Sequence, residues 1–530
     1  MILALLLRKF RFFEGEAMKK IIFPVLLGVT ILLSACGDVS EKLGTGTYTD
    51  DGVNVSVLSY DMELKLDTEN DRLNEAVRME LKNNGDSNVD TVYLRYYPNG
   101  YVPFLKGSFP DENKGKKLSS EITSVAIAGT GRNLPLAYDW DGTLVKVSLD
   151  GEGIPVGGTI ELEVNAWTNI PAGNSRFGLA TWDEGKMYHL TFCFPYLEYN
   201  KDGWYLDPPR YSILENRNPM TADYHVTVEA PNEYLIAGPG EITRNGEKTT
   251  IEAQGLRNLA LFASNCMGVD EFELDEVKIS NYYLKTEGEK EYREYSKQFL
   301  TDAFEHLTEM VGPYDRSEFS LIEGTRNMEY SGISEVSGRG FYDYDPSRFD
   351  GVYENTLHEV AHQWFFGGVG NYEYREGWID ESFTQFLEEE IMCKDTKSAE
   401  MIKEKYKEAE IGKAYYDKRA SKRAELKQDI DQIDHFPLNN IDQNPLKTYR
   451  GSKVNGEMNP GYREYDYGPL FLSQAEDIMG EDKFYSFVKD VYNTYGLKVA
   501  ETQGILEILK KHNNSKEMND LISFYFDVIP

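Results

Sequence analysis

Basic residues, cysteine and histidine are all scarce in this chain of 530 residues. Lys and Arg number 56 against 89 Asp and Glu, a formal net charge of −33. A chain so acidic is repelled by phosphate backbones, which argues against nucleic acid as a partner and disfavours broad adhesion to anionic lipid. The plain reading of the acidity is solubility. Cysteine occurs four times, as Cys36, Cys193, Cys266 and Cys393, with no CxxC pair. That argues against a thiolate zinc site or a thioredoxin-like redox motif. Cys36 has a separate explanation, and the remaining three, an odd number, cannot make a full disulfide framework. The apolar stretch Ile21–Leu33 is too short and too early for a comfortable spanning helix. At 41% hydrophobic residues the chain can still bury real cores, and its length allows two or three domains.

The N-terminus reads as an address. Lys19 and Lys20 form a basic region, Ile21 to Leu33 an apolar one, and the stretch ends in Leu33-Ser34-Ala35-Cys36. This resembles the lipobox of bacterial lipoprotein signal peptides, which implies a diacylated Cys36 as the mature N-terminus, a membrane anchor and an extracytoplasmic location. A plain signal anchor, or a secretory signal with a chance cysteine, is the alternative. The basic region begins at Met18, and Glu14-Gly15-Glu16 can be encoded by a purine-rich run like a ribosome-binding site. Translation is therefore expected to start at Met18. Residues 37–52 are small, polar and glycine-rich, as a tether is.

Alternation begins next. Tyr60, Met62, Leu64 and Leu66 are spaced by Asp61, Glu63 and Lys65, which predicts a strand with one wet face; "TENDRLN" is a turn, and Val77, Met79 and Leu81 form the return strand. Similar runs at Val92–Tyr96, Val145–Leu149 and Ile160–Val164 make residues 53–270 an all-β domain, a twisted sandwich or saddle of antiparallel sheet. Residues 271–530 read as α+β and mostly helical. Tyr292, Tyr295, Phe299, Leu300, Phe304, Leu307 and Val311 fall near helical spacing, and Gly312-Pro313 stops the run. Within this part, residues 394–428 are charged and helix-prone and 429–461 are rich in Asn, Asp, Gly and Pro. Both are expected to be a solvated surface excursion.

The chemistry sits in "HEVAHQW", residues 358–364. Positions i and i+4 share one helix face, so His358 and His362 can present two imidazoles to one ion, with Glu359 beside them. A catalytic zinc takes three protein ligands and leaves room for water, whose proton Glu359 is placed to accept. A satisfied pair of core histidines is the other reading. Glu381 follows His362 with eighteen residues between, in "GWIDESFTQF". Gly367, Gly368 and Gly370 end the first helix, and a second helix starting near Ile379 or Asp380 could bring Glu381 to the same ion; otherwise Glu381 is a solvated helix residue.

HEVAHQWFFGG…GWIDESF resembles the core of the gluzincin aminopeptidases, the family of aminopeptidase N and leukotriene hydrolase, and the eighteen-residue gap is that family's spacing. The resemblance implies a β domain followed by a thermolysin-like catalytic domain, one zinc ion per chain held by His358, His362 and Glu381, and peptide substrates with a free N-terminus. "RNMEYSG", residues 326–332, resembles the family's stretch whose glutamate, here Glu329, binds the substrate α-amine, with Met328 beside it. "YDYG", residues 465–468, resembles the stretch whose tyrosine, here Tyr465, hydrogen-bonds the tetrahedral oxyanion; Tyr462 and Tyr467 are nearby rivals. The chain departs from the pattern in three ways. Asn327 stands for a small residue and Ser331 for proline, and the stretch from Glu381 to Tyr465 is lengthened by the segment 394–461. The family's large C-terminal helical domain is expected to be absent, leaving a more open site. Two other functions remain in view: a zinc endopeptidase on the same site, and a lipoprotein that binds peptides without cutting them.

Overall fold

The computed structural model describes residues 52–99, 119–173, 176–206, 219–286, 288–338, 346–407, 409–431, 433–439, 453–454, 457–458 and 463–527. The signal segment with Cys36, nearly all of the tether, and Tyr462 lie outside the described residues.

The alternating run folds as expected. In β1 (Val55–Asp67) Tyr60, Met62, Leu64 and Leu66 are buried while Asp61, Glu63 and Lys65 are exposed. The Asp67 carboxylate accepts the N–H groups of Glu69 and Asn70, both at 3.1 Å, and Asp71 adopts a left-handed φ of 48°. That turn chemistry returns the chain as β2 (Arg72–Asn83), antiparallel, with Met62 opposite Val77. These two lie inside a seven-stranded sheet with β3 (Ser120–Ile127), β4 (Thr159–Asn169), β5 (Ala222–Glu229), β6 (Glu241–Asn245) and β7 (Lys248–Leu256), in the order β6-β7-β5-β1-β2-β4-β3. One pairing departs from the antiparallel expectation: β1 and β5 run parallel, with Met62 beside Val226. No hairpin joins two strands so far apart in sequence, so the core, not a turn, sets their direction. Two four-stranded sheets close over the same core, where Leu81, Val164, Tyr188, Leu190 and Phe262 are all fully buried.

A five-stranded mixed sheet follows: β8 (Met267–Leu274), β9 (Val277–Leu284), β10 (Glu318–Gly324), β11 (Met328–Tyr330) and β12 (Ile333–Ser337), in the order β8-β9-β10-β12-β11. Between β9 and β10 runs α1 (Glu289–Met310), whose buried face is the periodic set Tyr292, Tyr295, Phe299, Phe304 and Leu307. It ends where Gly312 takes a φ of 140°, a conformation that L side chains rarely adopt. Helices α2 (Pro346–Ala361) and α3 (Trp378–Met392) carry the site and share a second core with α1, through Phe299, Tyr353, Trp364 and Phe386. The order expected from the sequence, β-rich and then α+β and mostly helical, is the order found. None of the described helices is long and apolar enough to cross a membrane.

The charged segment corrects the sequence reading in part. Helix α4 (Lys413–Ile430) is solvated along most of its length, as expected, but one side is docked: Tyr415, Arg419, Leu426 and Ile430 are buried. Arg419 pairs with Glu390 and Arg423 with Glu389 at 2.8 Å, both carboxylates belonging to α3. A helix docked by ion pairs shows no apolar stripe, so periodicity alone assigns it to solvent. The loop after it is also tied down where it is described. Phe436 and Leu438 are buried, and their N–H groups donate to the carbonyls of Phe524 and Tyr525, both at 2.8 Å.

Candidate metal centre

The end of α2 is built to hold its last turn still. The Trp364 indole N–H donates to the Gly312 carbonyl at 2.8 Å, fastening α2 to the end of α1. Beyond Ala361 the backbone turns out through Gly367 and Gly368, whose N–H groups bond the carbonyls of His362 and Gln363 at 2.8 and 3.0 Å. A Cβ on Gly368 would stand 2.8 Å from the Trp364 carbonyl oxygen. Buried Arg257 ties this loop to a distant segment, donating to Phe366 O at 2.7 Å, Gly368 O at 2.7 Å and Lys498 O at 2.9 Å.

His358, His362 and Glu381 converge. His358 Nε2 lies 3.2 Å from His362 Nε2, and Glu381 Oε2 lies 3.3 Å from each of them. Glu381 comes from the first turn of α3, which begins at Trp378, one residue before the expected start. The outer nitrogens are already engaged. His358 Nδ1 is 3.2 Å from Glu388 Oε2, and His362 Nδ1 is 3.1 Å from the Phe365 carbonyl and 3.3 Å from Thr384 Oγ1. Donation from each Nδ1 leaves both Nε2 atoms as bare acceptors, so with the carboxylate oxygen three lone pairs face one point. A metal cation suits that arrangement. The spacing fits one: bonds of 2.0–2.1 Å to a tetrahedral zinc give ligand–ligand edges of about 3.3–3.4 Å.

The electrostatics agree. Burial pushes the His362 imidazole down, but the Glu381 carboxylate outweighs it and raises it to about 9. His358 is likewise depressed by burial and lifted well above its ordinary value by Glu381 and Glu388. Burial pushes Glu381 up, yet the two histidines hold it far below the usual carboxylate range. Without a metal the centre draws in protons, as an electronegative pocket shaped for positive charge does.

The other predicted residues fall as follows. Glu359 is buried, its Oε2 makes no hydrogen bond, and burial raises its carboxyl to about 8 against the pull of His358. Carboxylate oxygens of Glu329 and Glu359 and a ring nitrogen of His362 all lie within 4.8 Å of one another, so Glu329 reaches the centre. Glu329 and Met328 are partly buried on β11, and Met328 packs on the β-rich core. The Tyr465 hydroxyl donates to Glu381 Oε1, and its ring stands 5.7 Å from that of His358. Tyr467 is buried, its ring against that of Phe436.

A close approach explains why Tyr465 arrives. It lies on a π-helical turn, Arg463–Tyr467, directly before α5 (Gly468–Met479). A Cβ on Gly468 would stand 1.8 Å from Ser382 Oγ, so only glycine lets this turn meet α3. Ser382 Oγ then donates to the Glu464 carbonyl at 2.8 Å.

Sequence reasoning missed Glu388 and Thr384, which orient the two histidines. Their signal was present: Glu388 stands two turns after Glu381 on the same helix. It also missed Tyr415 of α4, whose hydroxyl lies between Glu388 Oε1 at 3.2 Å and Glu354 Oε1 at 3.0 Å. No local pattern marks that tyrosine.

With the geometry established, the relatives can be compared. Residues 347–525, which include all three metal donors, match the peptidase family M1 domain. The chain therefore carries a family M1 peptidase domain, a hydrolase class, in accord with the gluzincin resemblance of its motifs. Among solved structures it is similar to the M1 zinc metallopeptidase from Deinococcus radiodurans, at 15% identity and a TM-score of 0.56, over 90% of this chain and 95% of that one. It is also similar to yeast LTA4 hydrolase, at 13% identity and a TM-score of 0.60, over 91% of this chain and 70% of that one. At these identities the likeness is one of fold. No curated protein sequence matches the chain.

Proposed function

We propose that this chain is a zinc aminopeptidase that removes N-terminal residues from peptides. The observation that carries the reading is the convergence of His358, His362 and Glu381, with two further carboxylates, Glu359 and Glu329, within 4.8 Å of a His362 ring nitrogen. Bound there, zinc supplies Lewis acidity and acidifies its water towards neutrality. Glu359, buried beside the centre with an oxygen that makes no hydrogen bond, is placed to accept the proton of the attacking water and return it to the leaving amine. The Tyr465 hydroxyl, already aimed at the centre, donates to the oxyanion, a charge that exists only along the reaction path. Glu329 pairs with the substrate ammonium and so measures the peptide from its N-terminus, which makes an exopeptidase rather than an endopeptidase.

A panel of aminoacyl fluorogenic substrates, free and N-acetylated, tests the proposal. Release from free substrates alone, abolished by a chelator and by Glu359→Gln, supports it. Equal cleavage of acetylated peptides would make the enzyme an endopeptidase, and peptide binding without any release would make it a receptor. We further propose that Cys36 is lipidated and holds the enzyme on the outer face of a bacterial cell membrane. The basis is the stretch Leu33-Ser34-Ala35, which ends in two small residues directly before the cysteine. A Cys36→Ser chain that stays in the membrane fraction and still takes up labelled fatty acid would refute this.

A further inference from the structure

One buried amide joins the turn that ends helix α2 to the hairpin that carries Glu329. Gln363 is fully buried. Its Oε1 accepts the Gly332 N–H at 2.9 Å, and its Nε2 donates to the Tyr330 carbonyl at 2.9 Å and to Ser334 Oγ at 3.1 Å. The Ser334 hydroxyl in turn donates to the Glu359 carbonyl at 2.7 Å. Gln363 stands one helical turn after Glu359, so the face that presents the Glu359 carboxylate also grips the hairpin. Tyr330 and Gly332 belong to the turn directly after Glu329, where Tyr330 pairs with Ile333. Gly332 has a φ of 77°, and a Cβ there would meet Pro239 at 2.9 Å, so the turn takes glycine alone.

The hairpin's other side is tied to the β-rich part. The Ser331 N–H donates to Asn258 Oδ1 at 2.9 Å, and Ser331 Oγ accepts the Arg257 N–H at 3.1 Å. A proline at 331 could make neither bond. The Glu329 turn is thus held from both sides, and Gln363 is the side chain that references it to the metal-bearing helix.

We propose that Gln363 is a positioning residue that sets the distance between the metal donors and the Glu329 carboxylate, and thereby the preference for a free α-amine. The proposal rests on Glu329 being the amine anchor. An amide suits the task because it accepts and donates at once, fixing both the position and the rotation of the hairpin. Its removal would leave the Gly332 N–H and the Tyr330 carbonyl buried without this partner, so the hairpin shifts to find others. Displacements near 1 Å at such a point are enough to change kinetics strongly.

The test is Gln363→Met, of similar volume and with no amide, in the zinc-loaded protein. Measurements are KM and kcat on an aminoacyl substrate, inhibition constants of the matching amino acid amide and its N-acetyl form, and zinc affinity by chelator competition. KM and the inhibition constant of the amine-bearing ligand should rise about tenfold, the cost of one buried group left unpaired. The N-acetyl ligand and zinc affinity should not change. Unchanged amine affinity, or equal weakening of both ligands, overturns the proposal. Ser334→Ala, which deletes a single hydroxyl, should move amine affinity the same way by about threefold and stands in if Gln363→Met does not fold. Glu329→Ala run in parallel separates the two layers. If it leaves the amine preference intact, the anchor reading falls and this proposal with it. If it abolishes the preference while the Gln363 and Ser334 variants keep it, the positioning role alone is wrong.

Discussion

The β-rich and helical parts of this molecule both bury charge, but to opposite ends. In the β-rich part Arg95 and Glu198 are buried together, with Arg95 Nε donating to Glu198 Oε2 at 2.7 Å and the Tyr199 N–H filling Oε1 at 2.9 Å. That pair sets one buried charge against its opposite. In the helical part α3 buries Asp380, Glu388 and Glu389, and Glu359 and His362 are buried on the facing stretch of α2 and the turn after it. There the orienting bonds leave three lone pairs aimed at one point. A structural pair satisfies its own electrostatics; a binding centre keeps a deficit that only a guest can fill.

The comparison can be broken at either end. The largest effect should come from Glu359→Gln, which removes the proposed base while leaving the metal donors in place. The turnover rate should fall by about 10²–10⁴ with zinc content unchanged, read by steady-state kinetics and metal analysis. A comparable rate with full zinc would remove Glu359 from the chemistry. Next, Arg95→Met strands Glu198 in the core and should cost about 3–5 kcal/mol in denaturant unfolding. Adding Glu198→Leu should restore most of it, because no charge then remains buried. If the double variant is no more stable than the single, the stranded charge is not what costs stability. Glu388→Ala frees His358 Nδ1 and should weaken zinc binding about 10–100-fold, measured by chelator competition. An unchanged affinity would mean that the imidazole needs no orienting carboxylate.

The smallest effect separates burial without function from burial with it. Glu323 of β10 is buried, and burial raises its carboxyl to about 8 against a Leu284 N–H that donates to it at 2.8 Å. A folded state that holds its proton more tightly than the unfolded chain is favoured at low pH. The contribution is complete below an unfolded value near 4.5 and is lost as pH rises towards 8. The melting temperature of the metal-free protein should therefore decline across that window, and Glu323→Gln should flatten the decline at about 2–4 °C per kcal/mol. A slope unaffected by the substitution assigns it to other groups.

How much of this could be read in advance depends on the range of the interaction. Alternation in β1 and β2, the turn at Asp67 and the buried face of α1 are local, and the sequence displays each of them. The parallel pairing of β1 with β5 is not local, and nothing in either strand announces it. The docked side of helix α4 was misread because Arg419 and Arg423 look solvated until α3 supplies the carboxylates they meet. Tyr465 stood out from its rivals by the glycine three positions on, but the reason for that glycine, the approach of Ser382, belongs to the packed structure.

By itself, the sequence determined that His358 and His362 share a helix face next to Glu359, because a 3.6-residue turn places i and i+4 together in any environment. It also determined which strands keep a wet side, since side chains alternate whatever they pack against. Only tertiary structure decided that Glu381 meets those imidazoles, that Glu388 and Tyr415 stand behind one of them, and that Gln363 fastens the Glu329 turn to the same helix. Those are contacts between separate elements, and their distances follow from how the elements dock rather than from the chain's own geometry.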